Sequence, residues 1–236
     1  MNTLRLHYFF DPLCGLCYAS APAISGLALA FPESLELMPS GLFADEGARD
    51  LSPDWADYAW RNDQRIEQLT GQRFTSAYRE QVLRGTGVRF DSGPANHALT
   101  AVRELDADLE WRYLQAIQLR RYVDGLDTAQ PAVLGAIAAQ VAAESGIDID
   151  AAAFAERLRS DVALKQATAR RVAVTQDAMR RLGRFGVPQL LASVAGQQHV
   201  LQGEALHGGL PALVATIQRL GQALPAQADG GQTQGG

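Results

Sequence analysis

Cysteine is scarce in this chain: of 236 residues only 2 are Cys, and both lie in one stretch, Cys14-Gly15-Leu16-Cys17. A secreted domain stapled by disulfides needs more cysteines, spaced to tie distant segments together, so that class is excluded. No run of about 18 apolar residues occurs, and no membrane span is expected. The first residues, Met1-Asn2-Thr3-Leu4-Arg5-Leu6, lack the charged start, apolar stretch and small-residue cleavage site of a secretory signal. These absences together make a reducing cytoplasm the expected location. An excess of positive charge is also missing: 21 Lys and Arg face 26 Asp and Glu, for a net charge of -5, and the arginines are spread along helical stretches. Nucleic acid is therefore not an expected partner. Histidine is rare, with 4 in the chain, and His97, His199 and His207 are scattered. His7 is near the cysteines in sequence but lies on a strand, where packing or hydrogen bonding is the expected role. With the second ligand pair missing, a four-ligand zinc site is not expected. No internal repeat is visible.

What is present is ordinary globular material, 47% hydrophobic and 20% charged, organised in three parts. The spacing predicts a strand over Thr3–Phe10, a buried helix over about Leu16–Phe31 ended by Pro32, and a strand over Ser34–Leu42. Such a βαβ unit implies a parallel strand pair with a right-handed crossover. From about Leu51 to Gly183 the patterns are almost only helical, with start and stop signals. Ser52-Pro53 reads as an N-cap with Pro at the first helical position, and Asp91-Ser92-Gly93-Pro94 repeats that logic before a helix through about Leu105. Further helices fit Leu109–Val123, Asp127-Thr128 to Gly146, a short one capped by Asp150, and Asp161–Leu182. Strands then return at Pro188–Val194 and Gln198–Leu201, joined at Gly196-Gln197, and a helix follows over Leu210–Leu220. The Gly- and Gln-rich end reads as a disordered tail. The expected fold class is α/β, a small mixed sheet with helices on its faces. Residues 1–45 and 184–223 form the sheet-bearing domain, 46–183 a helical insertion without flexible linkers, and 224–236 the tail.

The motif that carries chemistry is Cys14-Gly15-Leu16-Cys17 at the junction of the first strand and first helix. A C-x-x-C pair in that context reads as a redox centre. The opening N–H groups of a helix lack intrahelical partners and, with the helix dipole, favour an anion there; in such settings a thiol titrates at roughly 3.5–7.5. Cys14 is thus the expected nucleophile, and Cys17, one turn inward, the resolving thiol. Asp11, three residues before Cys14, would oppose the thiolate by its charge, help move a proton, or cap the turn, the reading that Asp-Pro favours. Tyr18 reads as packing. Phe9, Phe10, Leu13 and Leu42 read as core first and as an apolar substrate rim second. Gly186-Val187-Pro188 precedes the third strand. X–Pro is the common site of cis peptides, and a cis bond there would free the Val187 backbone to pair with an extended substrate; the residues leave both isomers open.

The stretch Phe10–Tyr18, the helical insertion and Phe185-Gly186-Val187-Pro188 resemble the DsbA family, in its signal-less FrnE-like branch, often described as protein-disulfide isomerase or 2-hydroxychromene-2-carboxylate isomerase-like. Arg84-Gly85-Thr86-Gly87 and Asp91-Ser92-Gly93-Pro94 also resemble that branch. The resemblance spans nearly the whole chain except the tail. It implies a thioredoxin-like fold with a helical insertion, a redox-active Cys14/Cys17 pair and a cis Pro188. Leu16 departs from the pattern, since many relatives carry Trp between the cysteines.

Three functions follow as expectations. The first is dithiol–disulfide exchange on protein or peptide substrates, as reductase or isomerase, because a reducing compartment keeps the pair as a dithiol. Leu13, Gly15, Leu16 and Val187 are the candidate substrate contacts. No cofactor or metal is expected, with glutathione or a thioredoxin-type protein as candidate reductant. The second is a glutathione-dependent isomerase or transferase on the same scaffold, against which both retained thiols argue. The third is a non-enzymatic, redox-sensing interaction module.

Overall fold

The computed structural model describes residues 4–194 and 196–222; the expected tail lies outside the described residues. Strand β1 (Arg5–Phe10) leads through a short turn into helix α1 (Gly15–Ala30), which returns to β2 (Leu35–Pro39). Then come a two-residue strand β3 (Arg49–Asp50), helix α2 (Pro53–Thr70), a π-helical turn (Tyr78–Leu83) and strand β4 (Arg89–Phe90). Helices α3 (Gly93–Leu105), α4 (Glu110–Tyr122), α5 (Pro131–Ala143), α6 (Ala151–Ser160) and α7 (Val162–Arg181) follow. The chain closes with β5 (Gln189–Val194), β6 (Gln197–Leu201), a single turn α8 (Glu204–His207) and α9 (Leu210–Gln222).

The main sheet has the order β2-β1-β5-β6. β1 pairs parallel with β2 and antiparallel with β5, which pairs antiparallel with β6. This is a mixed α/β fold of the thioredoxin-like class. Alternation along β1 sends Leu6, Tyr8 and Phe10 to one face and Phe9 to the other. The first three join the largest core cluster, with Ile24 and Leu27 of α1, Leu213 of α9, and Leu99, Tyr113, Ile117 and Leu134 of the helices between β2 and β5. Phe9 packs instead with Met179 of α7 and Leu191 of β5. A third cluster, Tyr18, Ala56, Phe74, Tyr78, Val82, Leu83 and Tyr122, fixes α1 to α2, the π turn and α4.

Local rules account for many boundaries. Ser52, Asp150 and Asp161 cap α2, α6 and α7 through their side chains. Elsewhere the structure corrects the sequence reading. β2 stops at Pro39 rather than Leu42, since Gly41 turns the chain at a φ of +64°. The stretch expected to be helical also contains β4, paired antiparallel with β3. Asp127 and Thr128 form a turn ahead of α5, where the Asp127 carboxylate accepts from the Ala129 N–H at 3.0 Å. Ser92 does not cap α3, because its hydroxyl is committed to Asp11.

One ion-pair cluster holds the helices to the sheet edge. The Glu110 carboxylate is buried and accepts from Arg171 at 2.6 Å and Arg103 at 3.2 Å. Arg171 also donates to the Leu37 carbonyl of β2 at 3.1 Å.

Candidate active site

The turn between β1 and α1 is built around Asp11, which is fully buried. Its Oδ1 accepts from the Leu13 N–H at 2.9 Å; its Oδ2 accepts from the Phe43 N–H at 3.1 Å and the Ser92 hydroxyl at 2.8 Å. Burial pushes its carboxyl above the usual range, against the pull of these donors and of Arg121. Asp11 is therefore the turn's bracket, the capping role its sequence context favours. The Tyr122 hydroxyl closes the loop from the other side, donating to the Leu13 carbonyl at 2.7 Å.

This bracket sets Cys14 as the N-cap of α1, in extended conformation at φ -85° and ψ 118°. The following amides open the helix without intrahelical acceptors, and its first turn holds no acidic residue. Cys14 is 9% exposed and Cys17 is 1% exposed, and both are free thiols. Burial pushes the Cys17 thiol well up, and the adjacent Cys14 reinforces the shift. Tyr8 donates from beneath to the Cys17 carbonyl at 3.3 Å.

The second arm arrives from residues far along the chain. The Val187–Pro188 peptide is cis, and the Cys14 Sγ lies 3.8 Å from the Val187 carbonyl oxygen. Leu16, Phe185, Val187, Pro188 and His207 line one groove of about 370 Å³. The exposed Leu16 sits on its motif side, and Phe185, 74% exposed, stands at its rim.

The expected site residues divide accordingly. Cys14, Leu16, Val187 and Pro188 come together, with Cys17 behind Cys14 and Gly15 between them. Leu13 stands apart: it is 2% exposed and packs in the interior of the turn, off the groove that Leu16, Val187 and Pro188 line. Leu42 is exposed, whereas Phe9 and Phe10 are core.

Sequence reasoning missed a group delivered by the helices that follow β3: Asp63, Tyr78, Arg121 and Tyr122. A signal existed. In α2 the apolar stripe Trp55, Ala56, Ala59, Trp60 and Ile66 is interrupted at Asp63, and in α4 Arg121 continues the stripe of Leu114 and Ile117. A charged residue on a helix's buried face is uncommon and needs compensation.

No protein-family model and no curated protein matches this chain. Solved structures do. The cytosolic disulfide reductase DsbM from Pseudomonas aeruginosa is 31% identical, covers 92% of this chain and 99% of its own, and superposes with a TM-score of 0.74. This chain belongs to the DsbA family. Within it, the protein is a thiol–disulfide oxidoreductase of the FrnE-like branch. A second DsbM structure, determined with GSH, is 28% identical at the same TM-score, over 92% of this chain and 98% of that one. A 2-hydroxychromene-2-carboxylate isomerase is 18% identical over 92% of this chain and 94% of its own, with a TM-score of 0.51, a likeness of fold. Among the described residues, no helix of this DsbA-family protein is long and apolar enough to cross a membrane.

Proposed function

We propose that the protein reduces or isomerises disulfides of protein or peptide substrates in a reducing cytoplasm, with Cys14 as nucleophile and Cys17 as resolving thiol. The observation that carries this reading is the Cys14 sulfur at the N-cap of α1, 3.8 Å from the carbonyl beside the cis prolyl bond. The helix end favours the sulfur's anion, and the Val187 backbone beside the sulfur offers an extended substrate a place to pair.

The chemistry balances in two exchanges. The Cys14 thiolate attacks one sulfur of a substrate R–S–S–R′; a Cys14–S–R bond forms, the substrate bond breaks, and R′S⁻ leaves and takes a proton from solvent. Cys17 then loses its proton and attacks the Cys14 sulfur, which forms the Cys14–Cys17 disulfide and expels RS⁻. Two electrons have passed to the substrate. Two glutathione thiols return them and leave as glutathione disulfide. The likeness to the DsbM structure with GSH supports glutathione in that role.

The test is trapping. Cys17→Ser should accumulate mixed disulfides on Cys14 when challenged with glutathione disulfide or a disulfide peptide, and Cys14→Ser should abolish exchange. A Cys17→Ser protein that stays free of adducts on intact-mass analysis overturns the assignment of roles.

A further inference from the structure

The opening turn of α1 is bordered by a carboxylate that belongs to another helix. Asp63 of α2 lies against Gly15: a Cβ built at position 15 would stand 2.5 Å from Asp63 Oδ1. Oδ2 accepts from the Tyr78 hydroxyl at 3.0 Å, whereas Oδ1 has no hydrogen-bond donor among the described residues. The titratable or charged groups facing Asp63 are Tyr78 from the π turn and Arg121 and Tyr122 from α4; Cys14 directly precedes Gly15, the residue Asp63 touches on α1. Arg121 is fully buried, and no guanidinium nitrogen has a hydrogen-bond partner among the described residues. It is caged by the rings of Phe90 at 5.2 Å, Tyr78 at 5.7 Å and Tyr122 at 5.9 Å. Its charge acts on both Asp11 and Asp63.

One buried cation thus serves two buried carboxylates. When Cys14 ionises, a third anion enters the same low-dielectric neighbourhood. We propose that Asp63 is a positioning residue that sets the redox poise of the Cys14–Cys17 couple: its ionised carboxylate, pressed on Gly15, competes with the Cys14 thiolate for the positive end of α1 and so disfavours the reduced state. This rests on the reading of Cys14 as the attacking thiolate. The balance is responsive near neutrality, since burial raises the Asp63 carboxyl to about 7. Below that range the acid is neutral and silent; above it the charge opposes the thiolate. Oxidation removes the thiolate and the repulsion with it, so the couple should be more reducing with Asp63 ionised than without.

The experiment is the equilibrium of the full-length protein with glutathione from about pH 5 to about pH 9, for wild type and Asp63→Asn. Asn keeps the shape and an acceptor for Tyr78. At about pH 8 the variant should favour the dithiol about tenfold more than wild type does, and the two curves should converge below about pH 6. Curves that coincide throughout, or that differ by one constant factor, overturn the proposal, the latter because a purely structural effect would not follow the titration. Tyr78→Phe is the second arm. It removes the donor that favours the ionised carboxylate, so the pH at which the effect sets in should rise; an onset left in place also overturns it. Failure of the underlying reading looks different: wild type itself would then show no Cys14–Cys17 couple.

Discussion

Asp11 shows how one acid can set up a site without touching a substrate. Its two oxygens take three donors, two from the backbone, and together these fix the turn that delivers Cys14. Asp11→Ala leaves those donors buried without an acceptor, at about 1–3 kcal/mol each. Urea denaturation should show a loss on the order of 3 kcal/mol or more, with Asp11→Asn milder because it keeps one acceptor oxygen. Cys17 makes a kinetic prediction. Since burial holds its thiol protonated, and that burial persists when Cys14 is tied up in an adduct, resolution of a Cys14 mixed disulfide should speed up about tenfold per pH unit while Cys17 stays below its titration. Stopped-flow release of a thiol peptide from the preformed adduct measures this. A flat profile across neutral pH would show that Cys17 deprotonation does not limit the step.

Among the elements, the boundaries legible in the sequence are those set by neighbours in sequence. Ser52, Asp150 and Asp161 bond to amides two or three residues on, which a local pattern can carry. The C-x-x-C at a strand-to-helix junction is likewise local. What stayed hidden depends on partners far along the chain: Ser92 looks like a cap but serves Asp11, 81 residues before it, and β4 exists only by pairing with β3. Asp63 and Arg121 were visible as charges on apolar stripes, yet no stripe says which charge meets which helix end. Two predictions belong at this scale. Glu110→Ala removes the buried anion shared by Arg103 and Arg171; Arg103 keeps Glu36 and Arg171 keeps the Leu37 carbonyl, so the loss in chemical denaturation should be about 1–3 kcal/mol. Gly135→Ala would drive a methyl into the backbone carbonyl of Ala151, where α5 and α6 pack. A loss of about 1–3 kcal/mol is expected there.

Over the whole molecule, Asp63 ties stability to pH. Its folded-state value of about 7 lies above the ordinary carboxyl range, so between about pH 4 and pH 7 the native state holds a proton that the unfolded chain has lost. Stability from this residue is therefore present at low pH and falls as pH rises through that window, by a total on the order of 4 kcal/mol. Denaturation midpoints at pH values on either side of the window should differ less in Asp63→Asn than in wild type. The topology has a consequence of its own. The sulfur of Cys14 and the carbonyl of Val187 meet across 173 residues, and the strand that follows that carbonyl pairs directly with the strand that precedes the sulfur. A ribosome making this protein releases both thiols long before the central pairing of the sheet can form. The reactive pair therefore begins life unroofed, and a message truncated anywhere in the helices after β3 would yield a chain bearing both thiols with nothing to gate what they attack.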